Sequence, residues 1–135
     1  MRLLEVFRPE NVVIPLTATT LRAAVTTLVE RLVETGAIAR PDRLETLLSD
    51  ERIRDVVHVG DRVLLPHLRT DAVDRLAVAI GVAPEPLHLH ADPERGREQV
   101  VVLVLAPPEA ASRYLQVVAA LARACWPSLT VELPG

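Results

Sequence analysis

One run of seven aliphatic residues, Val100–Ala106, constrains the fold more than any other stretch of the sequence. A strand formed by these residues would be hydrophobic on both of its faces, which is typical of the middle of a sheet covered on both sides. Pro107 and Pro108 follow directly and predict the end of the strand. We therefore expect this run to be the central strand of a sheet with a layer on each face.

Apolar residues at three- and four-residue steps predict helices on either side of the strand-rich middle of the chain. The first stripe runs from Leu21 to Val33, and Gly36 follows as the residue that ends the helix. Pro41 suits the first position of a second, shorter helix. The inward face of that helix would be formed by Leu44, Leu47 and Leu48. A last amphipathic helix is expected over residues 109–125.

Further strands are predicted at Val12–Ile14, at Leu76–Val82 and, as an edge strand, at Leu87–Ala91. Residues 50–61 alternate charges with valines, a pattern that fits a loop, a short strand or the frayed end of a helix. This order of elements predicts an α/β fold. We expect a single domain over residues 1–135, with a mixed sheet of approximately five strands flanked by helices on both faces.

The segment Val63–Leu65 predicts a short buried strand that Pro66 ends, because proline lacks the N–H that a sheet ladder uses. His67 would then lie at the exit of a strand, where loops often carry functional residues, and Arg69 follows two residues later. His67 is therefore the first candidate for chemistry.

The composition argues against several classes of function. The formal net charge is -3 with both signs interspersed, and the chain has one Phe, one Trp and one Tyr, which disfavours nucleic-acid binding. All fifteen basic residues are arginines, so no lysine can form a Schiff base. The charged N-terminal residues do not form a signal peptide, and no apolar run is long enough to span a membrane. We expect a cytoplasmic protein without direct membrane insertion.

Three other histidines have plain alternatives to a functional role. His88 and His90, with Asp92, alternate at strand period and would share a face, which fits either a metal site or an exposed edge strand. No further ligand is close in sequence, so no metal or other cofactor is expected. His58 fits either a surface position or a place near His67.

The order and spacing of several segments resemble the IIA domain of the bacterial phosphotransferase system (PTS), of the fructose, mannitol and nitrogen-regulatory type. The resemblance covers nearly the whole chain. It rests on Arg8–Val13, Glu34–Ile38, Leu44–Leu48, Pro66–Arg69, Leu105–Pro107 and the pair Tyr114 and Leu115.

In that family the histidine after the proline carries a phosphoryl group, and here that residue would be His67. The resemblance implies that a histidine phosphocarrier protein supplies the group and that a IIB domain receives it in sugar transport. In nitrogen regulation the group would instead signal to a transporter, kinase or transcription factor. Arg69 would be a contact for the phosphate. A neutral imidazole is a nucleophile near neutral pH, and phosphoryl transfer mainly needs positioning and positive potential.

The sequence departs from the family pattern at positions that would assist His67. The departures are Val56–Gly60 in place of a Ser-Thr-Gly-Ile-Gly run, Glu51-Arg52 in place of an Arg-Glu pair, Leu68 in place of glycine, and Tyr114 in place of a second histidine. Tyr114 can donate a hydrogen bond to a phosphoryl oxygen but carries no positive charge, so Arg52 or Arg113 would have to compensate. Two interpretations stay open. The chain is an active phosphocarrier, or it is a degenerate IIA-like module that acts by binding another protein.

Overall fold

The fold comes from a computed structural model, which describes residues 8–18, 20–43, 56–59, 63–86 and 99–110, with Gln116 and Ala120; for residues 56–59 it describes the backbone only. Five strands form one mixed sheet. They are β1 (Val12–Val13), β2 (Val56–Val59), β3 (Val63–Arg69), β4 (Ala77–Val82) and β5 (Val100–Ala106). In space they follow the order β1-β4-β5-β3-β2, with β1 parallel to β4, β3 parallel to β5, and the other neighbours antiparallel. The predicted α/β class and mixed sheet of about five strands are confirmed.

One long helix, α1 (Leu21–Glu34), packs on one face of the sheet. The hydroxyl of Thr20 caps its first turn by accepting a hydrogen bond from the backbone N–H of Ala23 at 3.0 Å. The buried face is formed by Ala24, Val25, Leu28, Val29 and Leu32. Gly36, at φ 78°, follows the helix in the left-handed region that favours glycine, which confirms its predicted role.

The central position of β5 confirms the prediction made from its composition. It lies between β4 and β3, and each of its residues is at most 1% exposed. Val101, Leu103 and Leu105 contribute to the core under α1. The alternate residues, Val100, Val102, Val104 and Ala106, belong to a second buried cluster on the opposite face. Both faces of the sheet are therefore covered.

The structure resolves the ambiguous segment, where Val56–Val59 forms the edge strand β2. Before the predicted second helix, Pro41–Arg43 forms a 3-10 turn, and Leu44–Leu48 itself lies outside the described residues. Within the predicted last helix, Gln116 and Ala120 are helical. The predicted edge strand Leu87–Ala91 also lies outside the described part of the chain.

The prediction that Pro66 ends its strand is wrong. β3 continues through Pro66 and His67 to Arg69. On the β5 side Leu64 lies opposite Val101, and the next paired residue is His67, opposite Val104. Since proline has no N–H to donate, we attribute this gap in the ladder to Pro66. The strand stays extended because it pairs with β5 on both sides of the gap and with β2 along its other edge.

Candidate functional site

His67 lies inside β3, near the carboxyl end of the strand, rather than at a strand exit. Because side chains alternate along a strand, His67 and Arg69 share the face of Val63 and Leu65, which is the face away from α1. Leu68 points to the opposite face and joins the core under α1. The imidazole of His67 is therefore not packed beneath Leu68.

The two ring nitrogens of His67 have different surroundings. Nδ1 is buried and has no hydrogen-bond partner among the described residues. The residue as a whole is only partly buried. Nε2 also has no partner among the described residues but is not buried, so it is the nitrogen that an incoming group can reach.

Arg69 connects the end of β3 to the loop that follows β5. Its guanidinium donates hydrogen bonds from Nη1 to the carbonyl oxygens of Pro108 and Ala110, at 3.0 and 2.6 Å. The side chain is otherwise exposed, and these are not its only interactions. Arg69 thus stabilises the loop from which the chain continues toward Tyr114.

The connection from β3 to β4 is fixed from two sides. The backbone N–H of Thr70 donates to the carbonyl of Ala106 at 2.8 Å, and the buried Thr70 hydroxyl accepts from the N–H of Ala72 at 3.1 Å. Arg40 donates from Nε to the carbonyl of Asp71 at 2.6 Å and from Nη2 to a carboxylate oxygen of Asp74 at 2.5 Å. The hydrogen bond that Arg40 donates to the Asp74 carboxylate raises the pKa of Arg40 above its ordinary value.

The other sequence-predicted site residues are not brought to His67 by the described residues. Tyr114, Arg52 and Arg113 lie outside them, as do His88, His90 and Asp92. The backbone of His58 lies opposite Leu64 in the β2–β3 pair, and Pro66 lies opposite Val56. Position 58 is thus not the cross-strand neighbour of His67. No group of three or more metal-binding side chains occurs within the described part of the chain.

The sequence matches one protein family over residues 5–126, described as "Phosphoenolpyruvate-dependent sugar phosphotransferase system, EIIA 2". The chain belongs to this family. The resemblance inferred from the sequence is confirmed, and the described residues form the sheet of an EIIA domain.

Solved structures of IIA proteins share the fold of this EIIA domain. IIA mannitol from Escherichia coli has a TM-score of 0.67 at 21% identity, over 87% of this chain and 82% of that chain. Nitrogen regulatory protein IIA-Ntr from Neisseria meningitidis has a TM-score of 0.67 at 17% identity, over 93% of this chain and 88% of that chain. At these identities the likeness shows the fold alone. No curated protein matches the chain significantly.

A further similar structure is a complex of enzyme IIA-Mtl and phosphorylated enzyme IIB-Mtl from Escherichia coli. Its TM-score is 0.66 at 21% identity, over 87% of this chain and 80% of that chain. A relative of this EIIA domain thus binds a phosphorylated IIB partner. In the described part of the chain, no helix has the length and apolar character needed to cross a membrane.

Sequence reasoning missed two features of the site. The burial of Nδ1 depends on how β3 packs, and the carbonyl partners of Arg69 lie 39 and 41 residues further along the chain. The sequence did contain one signal for these features, the alternation of Val63, Leu65, His67 and Arg69. This alternation puts the four side chains on one face only if the strand continues past Pro66, as it does in the structure.

Proposed function

We propose that this EIIA domain is a phosphocarrier in which His67 accepts a phosphoryl group on Nε2. The observation that carries the proposal is the asymmetry of the imidazole ring: Nδ1 is buried, and Nε2 is the nitrogen left at the accessible part of the ring. Membership of the phosphotransferase family supplies the reaction class. The proposal is also supported by the position of His67 near the carboxyl end of β3, an interior strand, because ligands often bind at the carboxyl ends of strands in α/β sheets.

The transfer itself forms one bond and breaks one. The lone pair on Nε2 of the neutral imidazole attacks phosphorus as the bond from phosphorus to the donor's nitrogen breaks, and the donor imidazole leaves with that electron pair. In this tautomer the ring proton of His67 is on Nδ1. The buried side of the ring then need not move during transfer, which favours a fixed attack geometry.

The proposed donor is a histidine phosphocarrier protein, and the proposed acceptor is a IIB domain or a regulated transporter, kinase or transcription factor. The complex of a related IIA protein with phosphorylated IIB supports the choice of a IIB partner. We place the reaction in the cytoplasm and treat residues 1–135 as one domain. Tyr114 is proposed as a hydrogen-bond donor to the phosphoryl group, with Arg52 as a compensating cation.

A second candidate is a degenerate EIIA-like module that no longer carries phosphate and works by protein binding. This alternative is favoured by the hydrogen bonds that the Arg69 guanidinium donates to the carbonyl oxygens of Pro108 and Ala110. These bonds compete with any contact between Arg69 and a phosphoryl group. On this alternative, His67→Gln leaves the affinity for a partner recovered from the native cell unchanged. A large loss of affinity in that variant excludes it.

The proposal is tested by incubating the protein with phosphoenolpyruvate, the first enzyme of the phosphotransferase system and its histidine phosphocarrier. We expect an acid-labile, alkali-stable label on the wild-type chain. His67→Gln removes the label, because glutamine has no nucleophilic ring nitrogen. His88→Gln is the matched control among the four histidines and keeps the label. No label with the native donors, or a label that persists in His67→Gln, contradicts the proposal.

A further inference from the structure

A cleft of about 570 Å³ lies beside the start of β4, and His67 is not among the residues that line it. Its walls come from the first 3-10 turn (Pro9–Asn11) and the residue before it, the segment after α1, and residues 74–78. Ala77 and Leu68 both lie opposite Leu105, so the cleft is at the same edge of the sheet as the carboxyl end of β3. No described residue of β3 lines it. The described lining of the cleft thus comes from elements other than the strand that carries His67.

The charge that is available in the cleft is positive. Arg75 is exposed and has no ion pair or hydrogen bond within the described residues. Arg8 forms an ion pair with Glu10 at 3.7 Å, and both side chains are about half exposed. Such exposed ion pairs are weak in water. Asp74, the one carboxylate among the described lining residues, already accepts a short hydrogen bond from Arg40. Two arginines therefore remain able to bind an anion.

Asn11 adds a hydrogen-bond donor to the same cleft. The residue is 4% exposed and lines the cleft. Its side-chain oxygen accepts a hydrogen bond from the Thr35 hydroxyl at 2.5 Å, whereas its amide nitrogen has no partner in the described part of the chain. The amide of Asn11 is therefore suited to binding an acceptor group inside the cleft.

The remaining lining is small and aliphatic, and it includes Ala37, Ala39, Leu76, Ala77 and Val78. A volume of this size is typical of small-molecule sites, which combine an apolar wall with a few polar groups. We propose that this cleft binds a small organic anion, whose carboxylate or phosphate contacts Arg75, Arg8 and the Asn11 amide while its short apolar body lies against β4. This site does not rest on the phosphoryl transfer proposed for His67.

The proposal is tested with n-butyl phosphate and pentanoate as probes and 1-pentanol as the neutral control, in titrations followed by backbone amide NMR shifts. We expect saturable shifts at Asn11, Ala37 and Ala77, with a Kd below about 1 mM for at least one anion. The anion that binds more tightly identifies the head group. Binding of 1-pentanol as tight as that of both anions contradicts the charge argument.

Two arginine variants separate a built site from general attraction by surface charge. Arg75→Gln weakens binding about tenfold, the order expected for losing a charge-assisted hydrogen bond. Arg22→Gln removes the same charge at the opposite end of α1 and leaves Kd unchanged. Asn11→Asp replaces the donor by a carboxylate and abolishes binding, with the fold checked by thermal melting. Unsaturable shifts, or equal losses in both arginine variants, overturn the proposal.

Discussion

His67 and Arg69 occupy the same face of β3, yet their side chains have different roles in the fold. The residue His67 is partly buried, and its buried Nδ1 has no partner in the described part of the chain, whereas the exposed guanidinium of Arg69 binds the loop after β5. Both residues were identified from the sequence, because the Pro-His pair and the following arginine stand together. The environment of each residue could not be predicted from the sequence, because it depends on the pairing of β3 with β5, a strand far along the chain.

Arg69→Gln is expected to loosen the loop over Pro107–Ala110. The wild-type loop is closed by a hydrogen bond from the Ala110 N–H to the Pro107 carbonyl at 3.0 Å. Arg69 also donates hydrogen bonds to the carbonyl oxygens of Pro108 and Ala110 in this loop. Losing these bonds from an exposed cation should lower the free energy of unfolding by about 1 kcal/mol. Amide hydrogen exchange at Ala110 should become faster.

Arg69→Lys is the matched control for this change. It keeps the charge, but its single ammonium lacks the planar fork of arginine, so exchange at Ala110 should lie between the rates of the wild type and Arg69→Gln. Exchange in Arg69→Gln that equals the wild-type rate means that the loop is held by other contacts.

At the scale of the elements, β3 shows where local rules succeed and fail. The apolar residues Val63–Leu65 predicted a buried strand correctly, and Pro66 was wrongly predicted to end it. Proline removes one donor, but extended geometry persists where neighbouring strands supply pairing on both edges. A prediction from the sequence of one segment contains no information about those neighbours. The periodicity of α1 needed no such information, and its end at Gly36 was predicted correctly.

Thr20→Ala should destabilise α1 by about 1 kcal/mol, because it removes the side-chain acceptor of the N-cap. Thr26→Ala is the control within the same helix. The hydroxyl of Thr26 donates back to the Arg22 carbonyl, a bond that does not cap the helix, so its loss should change little. Urea unfolding of both variants checks the difference. Equal destabilisation by the two changes contradicts the assignment of Thr20 as the cap.

Gly81→Ala should destabilise the sheet because Leu16 covers this position. A Cβ at residue 81 would lie 2.5 Å from Cδ2 of Leu16, whose side chain is 1% exposed and cannot move freely. Forced repacking of a core typically costs about 1–3 kcal/mol in the free energy of unfolding. In a Leu16→Ala background the same change should cost less, because the clashing atoms are absent. A cost that is equal in both backgrounds rules out this contact as the cause.

At the scale of the whole molecule, the central strand and the mixed sheet followed from hydrophobic pattern, because β5 is apolar on both faces and can only be buried on both. The strand order did not follow, since β3 and β5 become neighbours through contacts between distant segments. The same limit applies to the site. His67 was predicted as the site from the Pro-His pair and the family resemblance, whereas the asymmetry of its ring nitrogens depends on the packed sheet.

Phosphoryl transfer to His67 is tested most directly by determining which imidazole nitrogen carries the phosphate. The protein is phosphorylated with phosphoenolpyruvate and its native donors, and two-bond proton–nitrogen NMR correlations of the histidine ring identify the modified nitrogen. We expect phosphate on Nε2 of His67, because Nδ1 is buried. Phosphate on Nδ1, on another histidine, or on no histidine at all contradicts it.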